Sequence, residues 1–315
     1  MSAYAYCPGC SLHATAREYD ESLRAVAAVA GLELQEIEDW VCCGATPAHA
    51  IDPDAAELLG AWNLARAAAS GAGPVLTGCA SCFSRLRAAR HELRESPEAA
   101  ARLAGRIGLP LAQTPPVLHV AQVLAAPALR EALAAKVTRP LRGLKVACYY
   151  GCLLTRPRGA DAIDDAEDPR LLEDLVRLAG ADPVEWPLRL DCCGASLALP
   201  RPDVVRELSA KLLVMAHQRG AQVMMVACPL CHANLDMQQA ALLAERGHQF
   251  RLPVLYVTQV IGLALGLDPA RLGLARHFTP VNAARLLAAC AAAVAATAPA
   301  TAPASAGARE GGAHV

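Results

Sequence analysis

Val75-Leu76-Thr77-Gly78-Cys79-Ala80-Ser81-Cys82 and, further on, Val223-Met224-Met225-Val226-Ala227-Cys228-Pro229-Leu230-Cys231 decide the fold. In each, a short apolar run ends at Cys-x-x-Cys. After the first pair a helical pattern continues through Phe83 and Leu86. A strand yielding to a helix at a pair of thiols is half of an alternating β/α unit. Its recurrence predicts two such units in one chain.

Outward from these pairs, each half adds three more cysteines. The first set is Cys10, Cys42, Cys43, Cys79 and Cys82; the second is Cys152, Cys192, Cys193, Cys228 and Cys231. Both adjacent pairs are followed by glycine, Gly44 and Gly194. Ten of the thirteen cysteines fall into these sets, so one explanation must serve both halves. The repeat also extends beyond the thiols. Pro116-Val117-Leu118-His119-Val120-Ala121-Gln122-Val123 matches Pro253-Val254-Leu255-Tyr256-Val257-Thr258-Gln259-Val260 at six of eight positions, the mark of a duplicated module.

Local pattern fills in the units. Leu12, Ala16, Tyr19, Leu23, Val26 and Ala30 advance by three and four residues to Gly31, which predicts one helix from just after Cys10 to a glycine stop. Leu32 to Ile37 alternate as a strand would, placing Cys42 and Cys43 in the following loop. Asp52-Pro53 starts a helix with Leu58, Leu59, Trp62 and Ala65 on one face and Gly71 at its end. In the second half, Leu144 to Ala147 form a strand, and Asp168-Pro169 is expected to cap the delayed helix after it. A further helix is expected from Asp203, with Val204, Leu208, Leu212 and Met215 inward. The predicted organisation is two similar parallel α/β modules, residues 1–140 and 141–290, then an Ala/Pro-rich tail over 291–315 too poor in large apolar residues to pack. Their cysteine loops are expected at the carboxyl ends of the strands, on two sites facing each other across a cleft.

Composition excludes several classes. Formal net charge is −1, and the 29 basic residues, only three of them Lys, are scattered, so no nucleic-acid partner is expected. Residues 1–10 lack the basic start and apolar core of an export signal, and no stretch is apolar enough to span a bilayer. The chain reads as cytoplasmic, where many thiols mean metal or redox chemistry rather than structural disulfides.

Thiolates suit zinc, copper(I) or iron–sulfur clusters. Zinc needs four ligands, whereas each set offers five, two of them adjacent and projecting differently. The compact three-cysteine run common in cubane sites is absent. The patterns Cys-x31-Cys-Cys-Gly-x34-Cys-x-x-Cys and Cys-x39-Cys-Cys-Gly-x33-Cys-x-x-Cys resemble the tandem cysteine-rich CCG domains of the B-type subunits of heterodisulfide reductase over residues 4 to 265. The resemblance implies two noncubane [4Fe-4S] clusters, held by Cys10, Cys42, Cys43, Cys79 and Cys82 and by Cys152, Cys192, Cys193, Cys228 and Cys231, with a disulfide substrate between them. It implies an oxidoreductase subunit acting on sulfur groups. With neither a ferredoxin-type cysteine run nor a dinucleotide fingerprint of its own, the chain is expected to work beside a ferredoxin-like iron–sulfur subunit and a flavoprotein subunit.

The Ala- and Arg-rich composition leans towards a bacterial sulfur-oxidising complex, with sulfur carried on a lipoate-binding protein. Two readings stand beside this one: an electron-transfer CCG subunit of a glycolate, lactate or succinate oxidoreductase, and a structural zinc protein. His13, His49 and His232 neighbour the cysteine loops and are candidate proton donors, against a plain surface or supporting role for each. Cys7 and Cys148 read as small buried hydrophobes, Cys290 as a free thiol, and Trp40 and Trp186 as packing around the sites. Arg85 and Arg87 are candidates to attract an anion, or simply an exposed helix face.

Overall fold

A computed structural model describes residues 2–45, 51–111, 113–156 and 162–297. Eight short strands form two parallel sheets: β1 Ser2–Tyr6, β2 Leu32–Glu36, β3 Val75–Thr77 and β4 Val117–His119, then β5 Lys145–Tyr149, β6 Asp182–Val184, β7 Val223–Val226 and β8 Val254–Tyr256. The sheet orders are β2-β1-β3-β4 and β6-β5-β7-β8, the same topology twice. Every pairing is parallel, so helices must cross over, and they cover both faces. β3 and β7 are wholly buried and, save for Thr77, apolar, as a strand covered on two sides requires. In both sheets the order reverses beside the first strand, between β1 and β3 and between β5 and β7, opening a crevice at the strands' carboxyl ends.

The lobes interlock reciprocally. The helix Val120–Ala125 after β4 packs on Leu171–Leu178 of the second lobe, and Val257–Ala264 after β8 packs on Arg17–Ala30 of the first. Ser22 Oγ and Thr258 Oγ1 lie 2.7 Å apart, Tyr19 stacks on Tyr256 at 4.0 Å, and Arg130 pairs with Asp174 at 2.9 Å. One continuous apolar core follows, from Tyr6 and Leu23 to Val254 and Ile261.

Several local expectations need correction. The helix after Cys10 is two: Gly9–His13 and Arg17–Ala30, separated by a turn at Ala14–Ala16. Leu12, Ala16, Tyr19, Leu23 and Val26 are all buried, so the expected apolar face is present although the axis bends. Asp52 does cap its helix, accepting from Ala55 N at 3.0 Å. Asp168 does not cap the next lobe's first helix, which begins at Leu171. Asp164 reaches back instead, taking the N–H groups of Arg170 and Leu171 at 2.7 and 2.6 Å, while Asp168 pairs with Arg170 and Arg189. The helix Pro202–Gln218 turns Val205, Ser209, Leu212, Leu213 and Ala216 inward, about one residue round from the expected stripe. The Ala-rich helix Ala283–Thr297 runs past the 290/291 boundary, because alanine keeps helical propensity where it offers little to pack. Residues 298–315 lie outside the described residues.

Candidate metal centres

The five cysteines of a set come from the carboxyl ends of three neighbouring strands. In the first lobe, Cys10 lies in the short helix after β1, Cys42 and Cys43 in the loop after β2, and Cys79 at the N-cap of the helix Ala80–Glu95 after β3. The second lobe repeats this, with Cys228 at the N-cap of Pro229–Asp236. Helix N-termini present free N–H groups and the positive end of the dipole, which favours thiolate over thiol.

The topology therefore gathers the cysteines in fives. Cys10 and Cys42 Sγ atoms lie 3.8 Å apart, and Cys43 and Cys82 Sγ 3.2 Å. In the second group Cys152 and Cys192 Sγ lie 3.7 Å apart, and Cys193 and Cys231 Sγ 3.5 Å. All are free thiols. The Gly44 and Gly194 N–H groups point to the Cys42 and Cys192 sulfurs at 3.5 and 3.2 Å, and both residues sit at positive φ, +70° and +79°, which explains the glycine after each pair.

Two further glycines belong to the sites without any sign in the cysteine pattern. Gly9 and Gly151 have φ of +67° and +64°, and a Cβ on them would come within 2.9 Å of Cys82 Sγ and 3.2 Å of Cys231 Sγ. Both the backbone and the neighbouring sulfur therefore demand glycine.

The two groups meet. Cys79 and Cys228 face each other across the lobe seam, near enough for each to shift the acidity of the other, and Ser81 Oγ lies 3.9 Å from Cys228 Sγ. Each group thus has an inner edge, with Cys79, Cys82, Cys228 and Cys231 buried, and an outer edge, with Cys10, Cys42 and Cys192 exposed. Crowding splits the acidities. Cys43 is held down at about 4, first by the Cys42 thiol and then by Cys82, and Cys228 is held well below the ordinary thiol value by Cys231 and Cys79. Their donating neighbours Cys82 and Cys231 are pushed up. All five thiols of a group can become thiolates together only if a multiply charged cation neutralises them.

An orphaned hydroxyl supports the fit. Tyr19 is fully buried, and its Oη has no partner among the described residues. It stands near both Cys228 and Cys79, which together with burial keep it protonated. A buried hydroxyl without a partner costs about 1–3 kcal/mol, and a sulfur-rich group at the seam would supply its acceptor. Five thiols, one more than tetrahedral zinc takes, fit a multi-iron group better than a single ion.

The candidate histidines scatter. His13 is exposed, its ring edge on Trp40 at 5.5 Å, and His49 lies outside the described residues. His232 is buried and stacked on Tyr256 at 4.3 Å, with Nε2 3.0 Å from Val254 O and 3.1 Å from His277 Nδ1. Burial, then His277, pushes it down to about 3, so it is neutral. His232, Asp236 and His277 lie close enough to suggest a separate metal site. Hydrogen bonding argues otherwise. Gln259 Oε1 accepts from Tyr256 N at 2.9 Å while its Nε2 donates to Leu272 O, so the amide is fixed and donates to His277 Nε2 at 2.8 Å. The His277 proton is then on Nδ1, which offers no lone pair to a metal, and both Asp236 oxygens accept backbone N–H groups.

His119 does what its sequence position gave no sign of. Its Nε2 lies 2.9 Å from Gly78 O and 3.0 Å from Ala227 O, the residues just before Cys79 and Cys228, and its Nδ1 accepts from Ala121 N at 3.1 Å. One neutral imidazole thus ties the two Cys-x-x-Cys turns together. The only sequence signal was the His/Tyr difference within an otherwise matching repeat.

Among the remaining residues, Cys7 and Cys148 are buried beside β1 and in β5, and Cys290 is buried on the inner face of the last helix. Trp186 is buried and donates to Cys148 O at 2.9 Å; Trp40 bonds Glu36. Arg85 lines a cavity of about 220 Å³ over the second group, with Ser81 and Ser84 beside it.

The family model described as CCG, a cysteine-rich domain, matches residues 4–87 and 146–236. The chain is 35% identical over 272 residues to the 8-methylmenaquinol:fumarate reductase membrane anchor subunit of Wolinella succinogenes, covering 86% of this chain and 95% of that protein. It is 33% identical over 208 residues to the B-type subunit of the ferredoxin:CoB-CoM heterodisulfide reductase of Methanosarcina mazei, 64% of this chain and 69% of that one. A B-like heterodisulfide reductase protein of Archaeoglobus profundus is 28% identical over 281 residues, 86% of this chain and 93% of that one. The crystal structure of a hypothetical protein from Helicobacter pylori shares the fold, with a TM-score of 0.68 at 14% identity over 89% of this chain and 52% of that chain. Among the described residues no helix is long and apolar enough to cross a membrane.

Proposed function

The chain belongs to the family of tandem CCG cysteine-rich domain proteins and is an iron–sulfur redox subunit of the heterodisulfide reductase B type, and from that premise we propose that it performs two-electron thiol/disulfide chemistry at two noncubane [4Fe-4S] clusters. Cys10, Cys42, Cys43, Cys79 and Cys82 hold one; Cys152, Cys192, Cys193, Cys228 and Cys231 hold the other. The observation that carries the reading is the seam, where Cys79 of one group lies against Cys228 of the other.

Cleaving a disulfide consumes two electrons and two protons: R–S–S–R′ + 2e⁻ + 2H⁺ gives R–SH and R′–SH. Two one-electron centres meeting at one gap match that stoichiometry, and when bound they supply the electrons. The chain's own part is to hold ten thiolates at strand and helix ends, to bury the inner edges from water, and to keep the Tyr19 phenol protonated beside both. His13 and His49 remain proposed proton donors for departing thiolates.

In this proposal the protein works in the cytoplasm with a ferredoxin-like subunit and a flavoprotein, on a small disulfide or on sulfur carried by a lipoate-binding protein. A second reading is an electron-transfer subunit of a fumarate- or succinate-type oxidoreductase, favoured by the Wolinella relative, whose length is covered almost entirely.

Anaerobic iron and acid-labile sulfide analysis comes first. About eight irons with matching sulfide per chain are expected, and zinc without sulfide overturns the cluster reading. Reduced protein is then mixed with disulfides, including a lipoyl disulfide. Oxidation of the centres with release of two thiols per disulfide is expected; centres indifferent to every thiol and disulfide, yet exchanging electrons with a quinol- or fumarate-linked partner, establish the second reading instead.

A further inference from the structure

The fold is doubled, but the donors around the two groups are not. By repeat position Ser81 corresponds to Leu230, and Arg85 to Asn234. Ser81 leans across the seam, its Oγ 3.9 Å from Cys228 Sγ in the other group. As a ligating thiolate Cys228 has no proton to give, so the hydroxyl is the donor. Leu230, at the mirrored position, has none to offer Cys79. Asn234 Nδ2 donates to Cys193 Sγ at 3.6 Å and is steadied by Cys193 O at 3.1 Å.

Charge adds to this. Arg85, from the first lobe, lines the cavity walled by Cys152, Cys192, Cys193, Cys228 and Cys231, and its buried Nε has no acceptor among the described residues. Among the described residues the remaining donors do not offset the bias. The Gly44 and Gly194 N–H groups match as a pair, and Tyr19 stands at the seam of both groups. Among the described residues the first group also has Cys7 close by, a buried thiol and so a weak donor.

Resting on the reading that each quintet binds an iron–sulfur cluster, we propose that Ser81, Asn234 and Arg85 make the second-lobe site the more easily reduced of the two, so that an electron entering at the first lobe moves across the seam to the second. Hydrogen bonds and positive charge at cluster sulfurs stabilise the reduced form, which carries one more negative charge. Ser81 and Arg85 belong to the first lobe and act on the second lobe's site. They are positioning residues for the electron, so their share of the bias exists only while the lobes are docked.

The test is an anaerobic redox titration of the full chain followed by electron paramagnetic resonance, with iron and sulfide measured on every sample. Wild type is expected to reduce in two separate waves. Ser81→Ala is expected to lower only the upper wave, by about tenfold in its one-electron equilibrium, about 59 mV. Asn234→Ala is expected to lower that same wave, and Ser81→Thr, which keeps the hydroxyl, to leave it in place. All of this should occur at unchanged iron and sulfide. Fully loaded variants with neither wave moved, with both moved together, or with Ser81→Ala and Asn234→Ala moving different waves overturn the asymmetry and leave the cluster reading standing. A chain with no iron and no sulfide overturns both.

Discussion

Replacing His119 with Phe probes the tie between the lobes most directly. Phe keeps the ring volume and the edge contact with Phe83, 5.7 Å away between centroids, but it removes the N–H that serves Gly78 O and Ala227 O and the lone pair that caps Ala121 N. At about 1–3 kcal/mol per stranded buried group, with the two carbonyls sharing one proton, the loss is about 4 kcal/mol. For a chain this long that is a fall in melting temperature of about 6 °C. The loss must also depend on pH. Burial holds His119 at about 4 when folded, below the usual value of about 6.5. The unfolded chain therefore binds the proton first, so the stability is present above 6.5 and drains away as pH falls towards 4, about 2 kcal/mol of it by pH 5. Thermal unfolding of iron-loaded wild type and His119→Phe at pH 7 and pH 5 should show the gap between them narrowing by about half. A gap below 2 °C at pH 7, or one that is equal at both pH values, refutes the account of a neutral imidazole holding both turns.

Cys43→Ser and Cys193→Ser should each lose one site, so iron per chain falls by about half in either and nearly to zero in the double variant; colorimetric iron and sulfide assays decide. Gly9→Ala should empty the first site and Gly151→Ala the second, since each combines a left-handed backbone with a Cβ pressed on Cys82 or Cys231. Spectra in which both sites survive either change count against that geometry. Arg189→Met leaves the buried Glu173 carboxylate without its cation, 3.3 Å away in the wild type, and should cost about 3 kcal/mol in denaturant unfolding. An added Glu173→Gln should recover much of that loss.

Much of the fold was legible because strand-to-helix junctions and thiols coincide. The runs 75–77 and 223–226 are short, apolar and immediately followed by Cys-x-x-Cys, so the alternation and the doubling could be read together. β1 was not legible: Ser2–Tyr6 is five mixed residues whose pairing partners, Leu32–Glu36 and Val75–Leu76, lie about 30 and 70 residues away. The cap at Asp164 was not legible either, because an Asp-rich loop offers several caps of equal local merit, and only the path of the chain selects one.

The sequence by itself determined that there are two equivalent α/β units, each carrying five thiols to the carboxyl end of its sheet, because hydrophobic period and residue spacing are local properties. Only the tertiary structure decided how the units meet. It put Cys79 against Cys228, His119 between Gly78 and Ala227, and Ser81 on the far group's sulfur, and it did so through the reciprocal packing of Val120–Ala125 and Val257–Ala264 on the opposite lobes. The hydrogen bonds among them join residues 41 to 147 positions apart, where no local periodicity carries information and burial of two apolar faces sets the geometry.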